Sequence, residues 1–252
     1  MLSVADAEAA GAGAGEAAPD IAALDPWPIH RPYETIGGWS HRDILRRQLN
    51  VLIAAVGLVL LSPLVLLIAA AIRLTSPGPI LFRQIRVGLD RRSPIQESGN
   101  WRRRVDFGGR LFTLYKFRTM EHTEGEPEQV WARKDDPRVY PLGRFLRKYR
   151  LDELPQLFNV LRGDMNIVGP RPEQPEIFAD LRWRIPPYTR RQRVLPGITG
   201  LAQINQDYDT CIEDVRSKVA YDLDYIRRRS SIEDLRIMLR TVPFVVLRRS
   251  GW

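Results

Sequence analysis

The chain has 252 residues, with 38 Lys and Arg against 30 Asp and Glu and a formal net charge of +8. That length suits one domain of moderate size plus a tail, and the charge points to an anionic partner: lipid headgroups, phosphates or nucleic acid. Cys211 is the single cysteine, which excludes an internal disulfide and a cysteine-based zinc cluster.

Residues 1–38 are rich in Ala, Gly and Pro, show little apolar periodicity and are expected to be disordered. Charged residues over 39–50 lead into residues 51–72, an uncharged apolar run broken at its midpoint by Ser62-Pro63. As a helix rising about 1.5 Å per residue, the run matches a bilayer core of about 30 Å. It lies far from the N-terminus with no small-residue cleavage site close behind, so it reads as an anchor rather than a removed signal peptide. Pro63 frees a backbone carbonyl upstream, and the Ser62 hydroxyl can bond back to such a carbonyl. Arg42, Arg46 and Arg47 precede the run, and Arg73, Arg83, Arg86, Arg91 and Arg92 follow it. Basic flanks favour the cytoplasmic side, here for both ends. A re-entrant helix turning at Ser62-Pro63 satisfies that; an ordinary kinked span is the competing reading.

Residues 75–88 open with Pro/Gly turns and continue as a short strand. Residues 89–109 form a charged, Trp-containing loop, and residues 110–120 alternate as a second strand, so that a β-hairpin is expected. Residues 121–134 are acidic and irregular. Leu142, Phe145, Leu146 and Tyr149 recur at helical spacing, and Leu151, Leu154, Leu157, Phe158 and Leu161 repeat the pattern up to a stop at Gly163. Two Pro/Gly-rich loops follow, over 163–172 and 195–205. Ile212, Val215, Val219, Leu223 and Ile226 then line one helix face. Ile232, Leu235, Met238, Leu239 and Val242 line the next, beside Arg236, Arg240, Arg248 and Arg249. Such a basic, apolar-faced helix fits either a membrane surface or the domain core.

The best carboxylate pair is Asp152-Glu153. Asp152 reads as an N-cap with Pro155 in the first turn, which sets both carboxylates at a helix start that favours phosphate, after the basic stretch 144–150. An aspartate among cations can attack a phosphoryl group, and an adjacent glutamate can hold Mg²⁺. A plain helix cap explains the same two residues. Arg83, Gln84, Arg86, Lys116, Arg118 and Arg171 lie in stiff or turn-forming contexts that hold a polar group in place, although headgroup contacts also account for arginines near a membrane. His30, His41 and His122 lack metal-ligand spacing, and there is no GxGxxG, Walker loop or GxSxG.

The motifs LLSPLVLL, SPGPILFRQIRVG, FTLYKFRTM, DPRVYPLGRFLRKYRLDELPQLFNVLRGDMNIVGPRP and PGITGLAQIN together resemble the bacterial sugar transferase family, the monotopic polyprenyl-phosphate phosphoglycosyl transferases. The resemblance covers roughly residues 43–241. It implies an α-dominant α+β monotopic fold: a re-entrant helix bending at Ser62 and Pro63, a small β-hairpin and amphipathic interfacial helices on the cytoplasmic face of the bacterial inner membrane. It implies a catalytic dyad of Asp152 and Glu153, a UDP-sugar donor, a polyprenyl phosphate acceptor, release of UMP and a need for Mg²⁺ at Asp152 and Glu153. It further implies phosphate and substrate contacts from Arg83, Gln84, Arg86, Lys116, Arg118, Arg147 and Arg171, with Gln203 at the nucleotide. Anionic lipids are expected partners, a homodimer stays open, and no nucleic acid is expected. The chain departs from compact members in its long 89–109 segment and in Asn166, where many have Ser; it looks like the small catalytic form with an extension. Two rivals are an inactive scaffold of a glycan-assembly complex and a basic nucleic-acid binder. The dyad speaks against the first and the apolar run against the second.

Overall fold

The computed structural model describes residues 41–90, 108–121, 136–206 and 211–247. The expected disordered tail, most of the 89–109 loop and of the acidic 121–134 stretch, and Arg248 and Arg249 lie outside these residues.

Helix α1 (His41–Thr75) is one long helix. It is followed by the strands β1 (Leu81–Val87) and β2 (Leu111–Phe117), which pair antiparallel with Arg83 opposite Tyr115 and Phe82 opposite Lys116. The expected hairpin is present. Helix α2 (Pro141–Lys148) and a 3₁₀ turn over Leu151–Glu153 lead into α3 (Gln156–Arg162). The predicted stop at Gly163 is present: it takes φ 89°, a left-handed value that glycine adopts without a Cβ penalty.

The two Pro/Gly-rich loops are more ordered than expected. Each contains a three-residue strand, β3 (Asn166–Val168) and β4 (Gly197–Thr199), and the two pair parallel. Between them lie α4 (Pro175–Arg184) and a 3₁₀ stretch over Pro186–Arg193. Helices α5 (Leu201–Asn205), α6 (Ile212–Arg228) and α7 (Ser231–Leu247) complete the described chain. On α6, Val215, Val219 and Leu223 are buried as the periodicity predicts. On α7, Ile232, Leu235, Leu239 and Val242 are exposed, while Asp234 and Ile237 face inward. Of the two readings for that face, core packing is therefore excluded for these four residues.

Helix α1 runs through Ser62-Pro63 without interruption, where a turn was expected. Pro63 cannot bond the carbonyl four residues back, which belongs to Val59, and the Ser62 hydroxyl donates to that same carbonyl at 2.8 Å. Arg46, Asn50 and Ala54, then Ile68 and Ile72, form the buried stripe of the helix at four-residue spacing. Ala54 joins the cluster of Phe112, Leu114, Val160 and Met165, whereas Ile68 and Ile72 pack on Phe117 and Leu146. Both halves of α1 thus rest on one body. Val59, Leu60, Leu66 and Leu67, in the middle of the helix, remain exposed.

Candidate active site

Three segments build the site. Strand β2 presents Lys116 on the hairpin face that also carries Gln84 and Arg86, since directly paired and alternate residues share a face. Helix α2 approaches the end of β2 closely: a Cβ on Gly143 would lie 2.1 Å from the Thr119 carbonyl oxygen. That approach lets Arg147 Nε donate to Thr119 Oγ1 at 2.8 Å. Arg150 then takes φ 55° and ψ 20°, a left-handed conformation uncommon for a side chain with a Cβ, and swings the chain into the turn that carries Asp152 and Glu153.

Asp152 is not the N-cap expected from the sequence. It sits inside the 3₁₀ turn, no side-chain capping bond is made there, and Pro155 occupies the cap position of α3. The αL residue before the turn, Arg150, shifts the helix start by several positions. Both dyad carboxylates are buried.

The two carboxylates meet opposite electrostatic conditions. Glu153 Oε1 accepts Arg171 Nη2 at 2.8 Å and lies 3.3 Å from Lys116 Nζ and 3.5 Å from Arg150 Nη1. Burial acts to raise its pKa, but Arg171, Lys116 and Arg150 outweigh burial and hold it well below the usual carboxylate range. Asp152 makes no ion pair among the described residues. Burial raises its pKa, helped by the Glu153 charge and opposed by Lys116, Arg147 and Arg150. Burial likewise lowers the pKa of Lys116, against the pull of Glu153. Neighbouring carboxylates with pKa values driven apart are a common mark of divided chemical roles.

The fold brings Glu153, Lys116 and Arg171 into contact beside Asp152, and Arg147 lies near enough to act on the Asp152 charge. Arg86 and Gln84 stand beside them: Arg86 Nη2 donates to Gln84 Oε1 at 2.6 Å and Nη1 to the Pro172 carbonyl at 3.1 Å. The other expected residues make different contacts. Arg118 is buried and donates to the Pro79 carbonyl at 2.6 Å and to Ser76 Oγ and its carbonyl at 2.8 Å each, so it clamps the turn after α1. Arg83 is exposed on the opposite face of β1 from Gln84 and Arg86. Gln203 Nε2, on α5, donates to the Ile198 carbonyl of β4 at 3.0 Å.

Sequence reasoning missed the layer behind the dyad. Arg191 donates to Asp222 at 2.6 Å and to the Arg171 carbonyl at 3.0 Å, fixing the residue that holds Glu153. Glu173 is ringed by Lys218 at 2.7 Å, Arg191 at 3.8 Å and Arg86 at 3.9 Å. These cations overcome the effect of burial and hold its pKa at about 2. These residues are scattered over the sequence and carry no local spacing signal. Arg150 differs in falling within the basic stretch 144–150.

The dyad fits a divalent cation that completes its shell with phosphate oxygens. Three cations lie within 3.5 Å of Glu153 Oε1, and Asp152 is the preceding residue of the same turn. Mg²⁺ commonly takes one or two carboxylates and substrate phosphates rather than a full protein cage. No cluster of three or more acidic, His or Cys ligands occurs among the described residues.

A buried carboxylate pair caged by cations, on a body that also packs a bilayer-length apolar helix, suits phosphoryl chemistry beside a membrane. The family model for bacterial sugar transferases matches residues 41–248, and the chain belongs to that family. It is 44% identical over 203 residues to a UDP-glucose:undecaprenyl-phosphate glucose-1-phosphate transferase of Caulobacter vibrioides, covering 80% of this chain and 69% of that protein. It is 38% identical to a UDP-N-acetylgalactosamine-undecaprenyl-phosphate N-acetylgalactosaminephosphotransferase of Aeromonas hydrophila, over 80% of this chain but only 44% of the longer relative. It is 36% identical to the exopolysaccharide production protein ExoY of Sinorhizobium fredii, over 86% of this chain and 90% of that one.

Proposed function

We propose that this chain transfers a sugar-1-phosphate from a UDP-sugar to polyprenyl phosphate and releases UMP, as an early membrane step of exopolysaccharide or related glycan assembly. The observation that carries the reading is the unequal dyad: Glu153 is neutralised by three cations, while Asp152 is buried beside them with no ion pair among the described residues. Such an aspartate keeps its lone pairs for a phosphorus atom. In the first step an Asp152 carboxylate oxygen bonds to the β-phosphorus, the bridging P–O bond breaks, and its electron pair leaves with UMP. In the second step a phosphate oxygen of the polyprenyl acceptor bonds to the same phosphorus and the Asp152–phosphorus ester breaks, restoring the carboxylate. Lys116, Arg171 and Arg147 hold the donor phosphates by charge-assisted hydrogen bonds. Mg²⁺ held by Glu153 and Asp152 would neutralise charge on the pyrophosphate. The two nucleotide-sugar relatives differ in their sugar, so a UDP-sugar panel is the direct test. The purified protein should release UMP from at least one member in the presence of Mg²⁺, and silence across the panel overturns the reading.

The same reading places the catalytic body on the cytoplasmic face of the inner membrane, with α1 re-entrant. Support comes from the one helix among the described residues long and apolar enough to cross a membrane, from arginines on both its flanks, and from the packing of both its halves on one body. A helix can bend at a proline without losing its ladder elsewhere. The exposed apolar stripe of α7, flanked by Arg236 and Arg240, suits the anionic lipid surface. In a Cys211→Ser background, single cysteines in the N-terminal tail and at Ser250 should both resist labelling from outside sealed cells. Labelling of one alone means a spanning helix. Replacing Ser62 and Pro63 by leucine should shift the protein toward that outcome.

A further inference from the structure

The segment that carries the dyad is wound tightly. Glu153 N–H bonds the Arg150 carbonyl, Leu154 N–H that of Leu151, Leu157 N–H that of Leu154 and Phe158 N–H that of Pro155, all three residues back. At three residues per turn, side chains three apart eclipse one another. Arg150, Glu153 and Gln156 therefore stand near one edge, and Asn159, one turn further along α3, lies close to it. Two contacts locate that edge. Glu153 reaches Lys116 on β2, and Asn159 embraces the same strand, accepting from Tyr115 N–H at 3.1 Å and donating to the Thr113 carbonyl at 2.7 Å. Gln156 lies between them in the segment that packs on the strand supplying Lys116.

Every other member of this edge has a partner. Gln156 is 2% exposed, and its Nε2 is buried with no hydrogen-bond partner. The buried side-chain atoms without partners on Gln174, Gln192 and Gln203 are acceptor oxygens on other segments. Arg86 Nε is a second such donor beside the site, carried by a charged group. A buried amide donor left unsatisfied is unfavourable, and a molecule bound beside it that accepts from it accounts for its retention. Beside a carboxylate pair and its cations, the complementary group is an anionic oxygen.

We propose that Gln156 is a substrate-binding residue whose carboxamide N–H donates to a phosphate oxygen of the donor as the phosphosugar passes through the dyad. The inference rests on the transferase reading above and adds to it a neutral donor that the cations do not provide. It orients the phosphate without adding charge.

The test is Gln156→Met, near in length and apolar, in the full chain in detergent or nanodiscs, with Gln156→Leu as a second shape. Because no hydrogen bond of the protein is lost, the melting temperature should stay level or rise. UMP release should nevertheless fall by about tenfold or more in kcat/KM, the scale of one hydrogen bond to a charged group. The rise in melting temperature that UDP-sugar produces in the wild type should shrink with it. Wild-type rates in both variants overturn the role of Gln156, as does a melting temperature that falls together with the rate, which marks a packing role. A wild type that releases no UMP overturns the transferase reading itself, whereas an active wild type matched by both variants overturns only the assignment of Gln156.

Discussion

Replacing Asp152 by asparagine is expected to abolish UMP release, by about a thousandfold or more, while leaving the protein folded. The amide keeps the shape of the side chain and lacks the nucleophilic charge. The fold does not depend on that charge: burial raises the Asp152 pKa, so the ionised form is disfavoured in the folded protein and a neutral group there is no loss. The wild type should show the complementary behaviour. Incubated with Mg²⁺ and UDP-sugar but no acceptor, it should gain a sugar-phosphate mass on the peptide containing Asp152 and release UMP, with ping-pong kinetics once polyprenyl phosphate is added. Since attack needs the ionised carboxylate, the rate of the first step should fall as pH drops through a value above the ordinary aspartate range. An enzyme that turns over without ever showing the adduct, and that needs both substrates bound together, would leave Asp152 as a base or metal ligand.

Arg46→Met is expected to destabilise the fold by about 3–5 kcal/mol. Arg46 donates through Nε and Nη2 to Asp234 at 2.9 and 2.8 Å and through Nη2 to the Tyr225 hydroxyl at 2.7 Å. The Arg46 and Asp234 side chains are only 9% and 3% exposed, so removal of the guanidinium strands a buried carboxylate. For a domain of this size the loss corresponds to a fall in melting temperature of about 10 °C. The double variant Arg46→Met, Asp234→Leu removes both charges and should recover most of it, because apolar replacement of a whole buried pair is often neutral. Thermal unfolding in detergent measures both, and an Arg46→Met protein that melts with the wild type removes the argument. The pair joins the first turns of α1 to α7, where Arg47 also donates to the Met165 carbonyl at 2.8 Å and the Asn50 side chain accepts Ile167 N–H at 2.6 Å. The N-terminal end of the apolar helix is thus bolted to the body that carries the dyad by polar groups, and its other half by Ile68 and Ile72.

Features with a strong local signal are legible in the amino-acid sequence. The apolar run, the alternating strands of the hairpin, the Leu142–Leu146 spacing, the Gly163 stop and the buried face of α6 all follow from periodicity or from one residue's backbone freedom. The Asp152-Glu153 pair is legible as a chemical possibility, and its motif setting links it to a family. The short parallel pair β3–β4 is not, because three residues among glycines and prolines leave no alternation to read.

Residue order thus supplies an inventory: one bilayer-length helix, a hairpin, a carboxylate dyad and a surplus of arginines. The use made of each is assigned by folding. Arg118 goes to Ser76, 42 residues away, and Arg83 stays on the outer face of the hairpin, while Lys116 and Arg171 converge on Glu153. The apolar stripe of α7 turns outward, and Asp152 is left without an ion pair among the described residues, beside a glutamate paired with three cations. The physical reason is that a residue type states which interactions are possible, whereas direction and burial are set by partners brought together from distant parts of the chain. Near a dyad in a low-dielectric site, a few ångströms of placement decide whether a charge is tied up in a structural contact or kept for the substrate.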